Sequence, residues 1–126
     1  MKVINTDKAP NPIGPYNQAV EVNNLIFLSG QIAINPENGE LLPGGIAVQT
    51  EQIFANILAI LNKADLELSN IVKTTCYLTD MSEYPLFNKM YASFFKTGKE
   101  PARSTVEVSY LPKSALIEID VIAIRP

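Results

Sequence analysis

The sequence of 126 residues contains no histidine and a single cysteine, Cys76. Imidazole and thiolate are the usual ligands of zinc and iron, so most routes to such a metal site are missing. The Ser–His and Cys–His pairs that activate a nucleophile are also excluded. Cys76 cannot form a disulfide within the chain, and its apolar strand neighbours indicate a buried structural thiol. Catalysis would have to use arginine, carboxylates, hydroxyls, amides or the backbone.

Basic clusters and long apolar runs are also lacking. The formal net charge is -3 and the ten Lys and Arg residues are scattered, which argues against nucleic acid as a partner. No apolar run approaches the roughly 18 residues that a membrane span needs, and the start of the chain has no signal-peptide pattern. We therefore expect a cytoplasmic protein with no membrane contact. Charged residues make up 18%, below the ordinary share of about 25%, which suggests that another subunit covers part of the surface.

Hydrophobic periodicity predicts an alternation of strands and helices. A helix is expected from Ile46 to Ala64, and a second one that Ser82 caps and Gly98 ends. Asn23 and Asn24 suit a tight hairpin turn, because asparagine tolerates positive φ. Strands are expected at 17–22, 25–34, 70–80, 101–108 and 115–126. The pattern predicts one α+β domain over residues 1–126, with a mixed β-sheet and two helices packed on one face.

Both faces of the last predicted strand carry apolar residues. One face holds Ile117, Ile119, Val121 and Ala123, and the other holds Leu116, Glu118, Asp120, Ile122 and Ile124. Two helices can cover only one face of a sheet. The other face needs a cover, and a second copy of the chain is the simplest one.

Arg103 and Glu118 are the residues best suited to chemistry. The planar fork of the Arg103 guanidinium can bind a carboxylate through two parallel hydrogen bonds, although a solitary arginine can also form a surface ion pair. Glu118 interrupts a largely apolar strand. A partly desolvated carboxylate there gains proton affinity and becomes useful as an acid or base, whereas an outward position would leave it solvated.

Five further residues are candidates for lining a site. Tyr16 follows a rigid Pro-rich loop and can hold substrate or water, or simply pack. Ser29 and Gly30 can offer a hydroxyl and backbone N–H groups, or form only a strand-end bulge. Asn88 lies one turn after Tyr84 on the second helix, where it can equally be a surface residue. Thr105 shares a strand face with Arg103.

Five motifs, in order, resemble those of the Rid (YjgF/RidA) family and cover nearly the whole chain. They are IGPYNQAV, LSGQI, IVKTTCYLTDM, FNKMY and PARSTVEVSYLPKSALIEI. The resemblance implies a chorismate-mutase-like fold, a homotrimer with ligand clefts between subunits, and no cofactor. It also implies hydrolytic deamination of enamines and imines such as 2-aminoacrylate and 2-iminobutanoate, giving 2-keto acids and ammonia.

The resemblance assigns roles residue by residue. Arg103 matches the arginine that binds the substrate carboxylate, and Glu118 the glutamate that positions the attacking water. Tyr16, Ser29, Gly30 and Asn88 match positions that line the cleft, and our own hypothesis is that Tyr16 assists Glu118. Thr105 stands where many members have cysteine, which implies that a thiol is not essential here.

Two other functions compete with deamination. A non-catalytic protein could use the same cleft to bind a keto acid or an amino-acid metabolite, but the presence of Arg103 favours the enzyme. A ribonuclease or translation inhibitor, an activity also attached to the family, is disfavoured because metal-free ribonucleases commonly use histidine and because the pI is about 4.9.

Overall fold

A computed structural model describes residues 1–126 as one six-stranded sheet and two main helices. The strands are β1 Lys2–Ile4, β2 Ala19–Val22, β3 Leu25–Gln31, β4 Ile71–Leu78, β5 Ala102–Glu107 and β6 Ile117–Ile124. The helices are α1 Ile46–Lys63 and α2 Tyr84–Ala92. The strands lie in the order β1-β2-β3-β6-β4-β5, and only β4 and β5 are parallel. The expected mixed sheet is confirmed. Neither helix is long and apolar enough to cross a bilayer.

The turn between β2 and β3 has the predicted chemistry. Asn23 and Asn24 adopt φ values of 49° and 65°, the left-handed region that asparagine tolerates. The register of β3 against β6 shifts between Leu28 and Gln31, so the expected bulge at Ser29 and Gly30 is also confirmed. The bulge bends the end of β3, which places Gly30 beside the neighbouring strand.

Helix α1 begins and ends almost where its apolar period predicts. Its buried side chains form the centre of the core against the sheet, and they include Ile53, Phe54, Ile57, Ile60 and Leu61. Two polar residues outside the apolar stripe, Gln49 and Asn56, are nevertheless buried. The Gln49 side chain accepts from the backbone N–H of Leu116 at 2.9 Å, and Asn56 donates to the carbonyl of Ile34 at 2.9 Å. Both side chains therefore satisfy loop backbone that would otherwise be buried unpaired.

Several predicted boundaries are wrong. Strand β3 ends at Gln31 rather than residue 34, and α2 ends at Ala92 rather than near Gly98. Asp80 caps the turn that precedes α2, since its carboxylate accepts from the backbone N–H of Ser82 at 2.9 Å. Ser82 is therefore not the cap. The chain leaves α2 early because Phe94 stacks on Phe54 of α1, with ring centroids 4.3 Å apart.

The core lies between the two helices and one face of the sheet. Ile117, Ile119, Val121 and Ala123 of β6 are all buried on that face, as expected. The opposite face has no helix over it and leaves large apolar side chains partly exposed: Val22, Phe27, Val106 and Ile124. We call this second side the open face. The sheet thus separates the molecule into a covered face and an open face.

Candidate active site

Arg103 lies on β5 and points to the covered face, where α2 holds it. Its Nη2 donates to the Asn88 side-chain oxygen at 2.8 Å and to the Tyr84 hydroxyl at 2.9 Å. The guanidinium carbon lies 4.7 Å from the ring centre of Tyr91 and 5.3 Å from that of Phe87. Aromatic faces attract cations and restrict the guanidinium plane. The side chain therefore has a defined direction even though it lies at the sheet edge.

Arg103 makes no ion pair with any carboxylate of the chain. The one salt bridge in the structure joins Arg125 to Glu21 at 2.8 Å. The Nε and Nη1 atoms of Arg103 have no acceptor, and neither is buried. The alternative of a surface ion pair is therefore wrong. A positive charge held by neutral acceptors, with free N–H groups, is suited to an anionic ligand.

Thr105 and Tyr84 complete the surroundings of Arg103. Thr105 lies on the same face of β5, as predicted, and its Oγ1 is the one buried side-chain oxygen or nitrogen without a hydrogen-bond partner. Tyr84 was not predicted as a site residue. Its signal was present in the sequence, because residues four apart on a helix share a face and Tyr84 is four residues before Asn88. Asn88 is accordingly a contact of Arg103 and not a free surface residue.

Glu118 lies on β6 and points to the open face, against Gly30 of the β3 bulge. A Cβ atom on Gly30 would lie 2.8 Å from the carboxyl carbon of Glu118 and closer still to one carboxylate oxygen. Real Cβ atoms do not approach so closely, so glycine is required for this position of the carboxylate. The bulge and the missing side chain of Gly30 together leave the space that the Glu118 carboxylate occupies.

The surroundings of Glu118 raise the pKa of its carboxyl group. Burial is the larger cause, and the charge of Asp120 on the same face adds to it. The Tyr77 hydroxyl donates to the Asp120 carboxylate at 3.1 Å. Glu118 itself accepts no hydrogen bond from the chain. A carboxyl group with raised proton affinity is better suited to accept and return a proton than an ordinary glutamate.

Tyr16 and Ser29 lie near Gly30. Tyr16 lines a cleft with Gly30, Gln31 and Ile13, and its hydroxyl accepts from the backbone N–H of Ile13 at 3.2 Å. The Tyr16 side chain is 46% exposed. Ser29 donates its hydroxyl to the Asn17 carbonyl at 2.6 Å, so it fixes the loop that carries Tyr16.

The predicted site residues therefore form two groups within one chain. Arg103, Asn88 and Thr105 lie on the covered side, and we call them the clamp group. Tyr16, Ser29, Gly30 and Glu118 lie at the β3 bulge, and we call them the bulge group. Thr74 pairs with Arg103, and Tyr77 pairs with Glu118; these two β4 residues are three positions apart and face opposite sides. One chain does not bring the two groups together.

Cys76 belongs to neither group. It is fully buried in the core on β4, and burial raises the pKa of its thiol to about 11. A thiol with so high a pKa is protonated at neutral pH and is a poor nucleophile. The prediction of a structural cysteine is confirmed.

The chain is a small α+β domain with an arginine that has no carboxylate partner at the edge of its sheet. The family model described as Endoribonuclease L-PSP matches residues 6–125. The chain therefore belongs to this family, which is the Rid (YjgF) family that its five motifs resemble, and it has the chorismate-mutase-like fold.

Three similar proteins illustrate the range of the family. The 2-iminobutanoate/2-iminopropanoate deaminase of Mus musculus is 42% identical over 124 residues, which cover 98% of this chain and 91% of the mouse protein. The crystal structure of RidA from the Antarctic bacterium Psychrobacter sp. has a TM-score of 0.94 at 39% identity, covering 99% of this chain and 100% of that one. The structure of E. coli TdcF with bound serine has a TM-score of 0.93 at 38% identity and covers 100% of both chains.

Proposed function

We propose that this protein hydrolyses enamine and imine intermediates of the 2-aminoacrylate and 2-iminobutanoate type to 2-keto acids and ammonia. The observation that carries the proposal is Arg103, which is oriented by two neutral acceptors and has no carboxylate partner. Substrates of this class carry a carboxylate next to the reacting carbon. The name of the mouse relative, which matches almost the full chain, supports the same reaction.

The proposed mechanism has one addition and one elimination. Arg103 binds the substrate carboxylate, and Glu118, assisted by Tyr16, orients a water molecule toward C2 of the imine. The water oxygen bonds to C2, and a water proton passes through Glu118 to the nitrogen. The hydroxyl proton of the carbinolamine then passes through Glu118 to the nitrogen, the C–N bond breaks, and ammonia leaves as C2 becomes the carbonyl of the keto acid. The imine carbon is already electrophilic, so the scheme needs no cofactor, and positioning alone can lower the barrier by several kcal/mol, on the order of 7 in favourable cases.

We further propose that the site is formed between subunits of a homotrimer. The clamp group and the bulge group of one chain lie on opposite sides of its sheet, so a complete site requires the clamp of one subunit and the bulge of its neighbour. Partly exposed apolar side chains on the open face, Phe27 at 40% and Ile124 at 42%, support its burial against a second copy. A contact between two different surfaces of neighbouring subunits closes into a ring when the rotation between them is suitable, as in a trimer.

A coupled assay tests the deaminase proposal. An amino-acid oxidase or a serine/threonine dehydratase generates the imine in situ, and keto-acid release is followed with and without the protein. Wild type should accelerate release, and Arg103→Ala should reduce the acceleration by about 100-fold or more, because the charged contact with the substrate carboxylate is lost. Arg103→Lys is the matched control, since it retains the charge without the fork. Full activity of Arg103→Ala, in a folded oligomer, would rule out the clamp.

A second candidate is a metabolite-binding protein without turnover, and the serine in the TdcF structure favours it. Titration with 2-ketobutyrate would detect binding under either function, so keto-acid release decides between them. Failure to accelerate hydrolysis of imines from small and bulky amino acids would favour the binding protein.

The description of the family model favours a ribonuclease as a third candidate. The absence of histidine and the acidic pI of about 4.9 weigh against it. RNA cleavage that persists through purification and is lost in Arg103→Ala would support it.

A further inference from the structure

The Tyr84 hydroxyl is the second acceptor on Arg103, and none of the five sequence motifs includes it. We propose that Tyr84 is a positioning residue of the carboxylate clamp: together with Asn88 it holds Nη2 of Arg103, and it leaves the separate N–H groups of Nε and Nη1 free, so that either can donate to the ligand. The inference rests on the proposed role of Arg103 in binding a carboxylate. It adds a residue that acts on substrate through the guanidinium, without itself touching the reacting atoms.

The placement of the two acceptors on one helix is the first argument. Tyr84 and Asn88 are four residues apart in α2, so both project from one helix face toward β5. Their oxygens lie 2.9 and 2.8 Å from Nη2. Two acceptors on one terminal nitrogen stop the guanidinium from turning about its long axis. With a single acceptor, only the neighbouring aromatic rings would oppose that rotation.

The neutrality of both acceptors is the second argument. A carboxylate at either position would pair with Arg103 and compete with the ligand for the same charge. An amide oxygen and a phenol oxygen hold the guanidinium without neutralising it. The arrangement therefore orients the cation and keeps it available for an anion.

The third argument is that the two tyrosines near Arg103 use their hydroxyl groups differently. The Tyr91 hydroxyl lies 2.8 Å from the Thr74 hydroxyl and belongs to the buried core. The Tyr84 hydroxyl has Arg103 as its one hydrogen-bond partner in the chain. Removing the Tyr84 hydroxyl therefore alters the clamp and leaves core hydrogen bonds intact, and its ring, 5.5 Å from the guanidinium carbon, remains in place.

Tyr84→Phe tests the proposal with binding and kinetics measured side by side. Titration calorimetry with 2-ketobutyrate should show a Kd raised about tenfold, because a guanidinium held by one acceptor must be ordered when the ligand binds. The coupled assay should show a KM raised by a similar factor and a kcat changed by less than about twofold, because Glu118 and Tyr16 are untouched. The melting temperature should not change. Tyr110→Phe is the matched control, since Tyr110 is 69% exposed and bonds to Ser114, away from both groups.

The outcomes separate this inference from the proposed reaction. If wild type turns over imine and Tyr84→Phe matches it in Kd and KM, the reaction stands and the inference is wrong. A fall in kcat together with a lower melting temperature would show a general structural role and would also overturn it. If wild type binds 2-ketobutyrate without turnover and Tyr84→Phe binds more weakly, the inference stands and the deaminase does not. Absence of both binding and turnover in wild type would overturn both.

Discussion

Arg103 and Glu118 point to opposite faces of the same sheet, although only β4 separates their strands. Arg103 pairs with Thr74 of β4, and Glu118 pairs with Tyr77 of the same strand. Side chains alternate between the two faces along a strand, so Thr74 and Tyr77, three residues apart, point to opposite faces. Their partners do the same. No side-chain rotation within one chain can bring the two groups to a single small substrate. The two residues are compatible with one reaction only if they come from different subunits.

Subunit mixing tests this consequence. Arg103→Ala and Glu118→Gln should each be inactive alone. When they are co-expressed, an interface that combines the intact arginine of one variant with the intact glutamate of the other regains a full site. Random mixing should restore about a quarter of wild-type activity. Native mass spectrometry should confirm that mixed oligomers form. Mixed oligomers without activity would contradict an intersubunit site.

Gly30→Ala should reduce kcat by about tenfold or more, because the new methyl group displaces the Glu118 carboxylate. Binding of 2-ketobutyrate should change less, since Arg103 is remote from this contact. Gly45→Ala is the matched control: its Cβ would meet nothing within 4 Å. Equal kcat values for the two variants would show that the position of the Glu118 carboxylate is unimportant for turnover.

Asp120→Asn should move the acid limb of the pH–rate profile to lower pH. The negative charge of Asp120 helps to raise the pKa of Glu118, so removing it lowers that pKa. In the proposed mechanism Glu118 orients water as the carboxylate, so activity should rise as pH increases through its pKa. Glu51→Gln, which removes the same charge from an exposed position on α1, should leave the limb in place. An unmoved limb in Asp120→Asn would mean that another group controls it.

Glu118→Gln should raise the free energy of unfolding near neutral pH while it abolishes turnover. The folded-state pKa of Glu118 lies above its ordinary value, so folding favours the protonated form. Stability is thus greatest below the unfolded pKa and is lost as pH rises through the folded pKa. The gain in Glu118→Gln should vanish below about pH 4, where the wild-type carboxyl is protonated in both states. Denaturant unfolding at several pH values measures this gain in the free energy of unfolding. A gain that is independent of pH would show that the raised pKa of Glu118 is not its cause.

Cys76→Ala should retain activity and lose about 1 kcal/mol of stability, because one core atom is removed. The thiol of the folded protein should resist alkylation at neutral pH, since burial raises its pKa to about 11. Mass spectrometry after reaction with iodoacetamide, with and without denaturant, measures this. Rapid modification of the native protein would show that Cys76 is accessible.

Local sequence patterns are sufficient to predict the elements whose conformation depends on neighbouring residues alone. Helix α1 was predicted to within one residue of its observed end, because its apolar residues recur at helical spacing throughout. The Asn23–Asn24 turn followed from the conformational tolerance of asparagine. Strand β1 was missed, since three residues are too few to show an alternation. The early end of α2 depends on Phe94 packing against another helix, which no local pattern contains.

The composition of the site could be predicted, but its geometry could not. The residue types at Arg103 and Glu118 were informative in themselves, and the family motifs added the rest. Which face each side chain occupies depends on the register and direction of strand pairing, which are tertiary properties. The four-residue spacing places Tyr84 on the same helix face as Asn88, but its hydrogen bond with Arg103, 19 residues away on β5, depends on how the helix packs on the sheet.

The parallel pairing of β4 and β5 also bears on how the molecule folds. The chain runs from β4 through α2 to β5, and the hydrogen bonds of Arg103 span only 15 and 19 residues. The clamp thus belongs to a short-range unit that can form early, because closing a small loop costs little chain entropy. Glu118 reaches Gly30 only after the last strand has paired with the third. We therefore expect the contacts of Arg103 to form before the contact of Glu118 with Gly30, and hydrogen exchange of α2 and β3 would show the order.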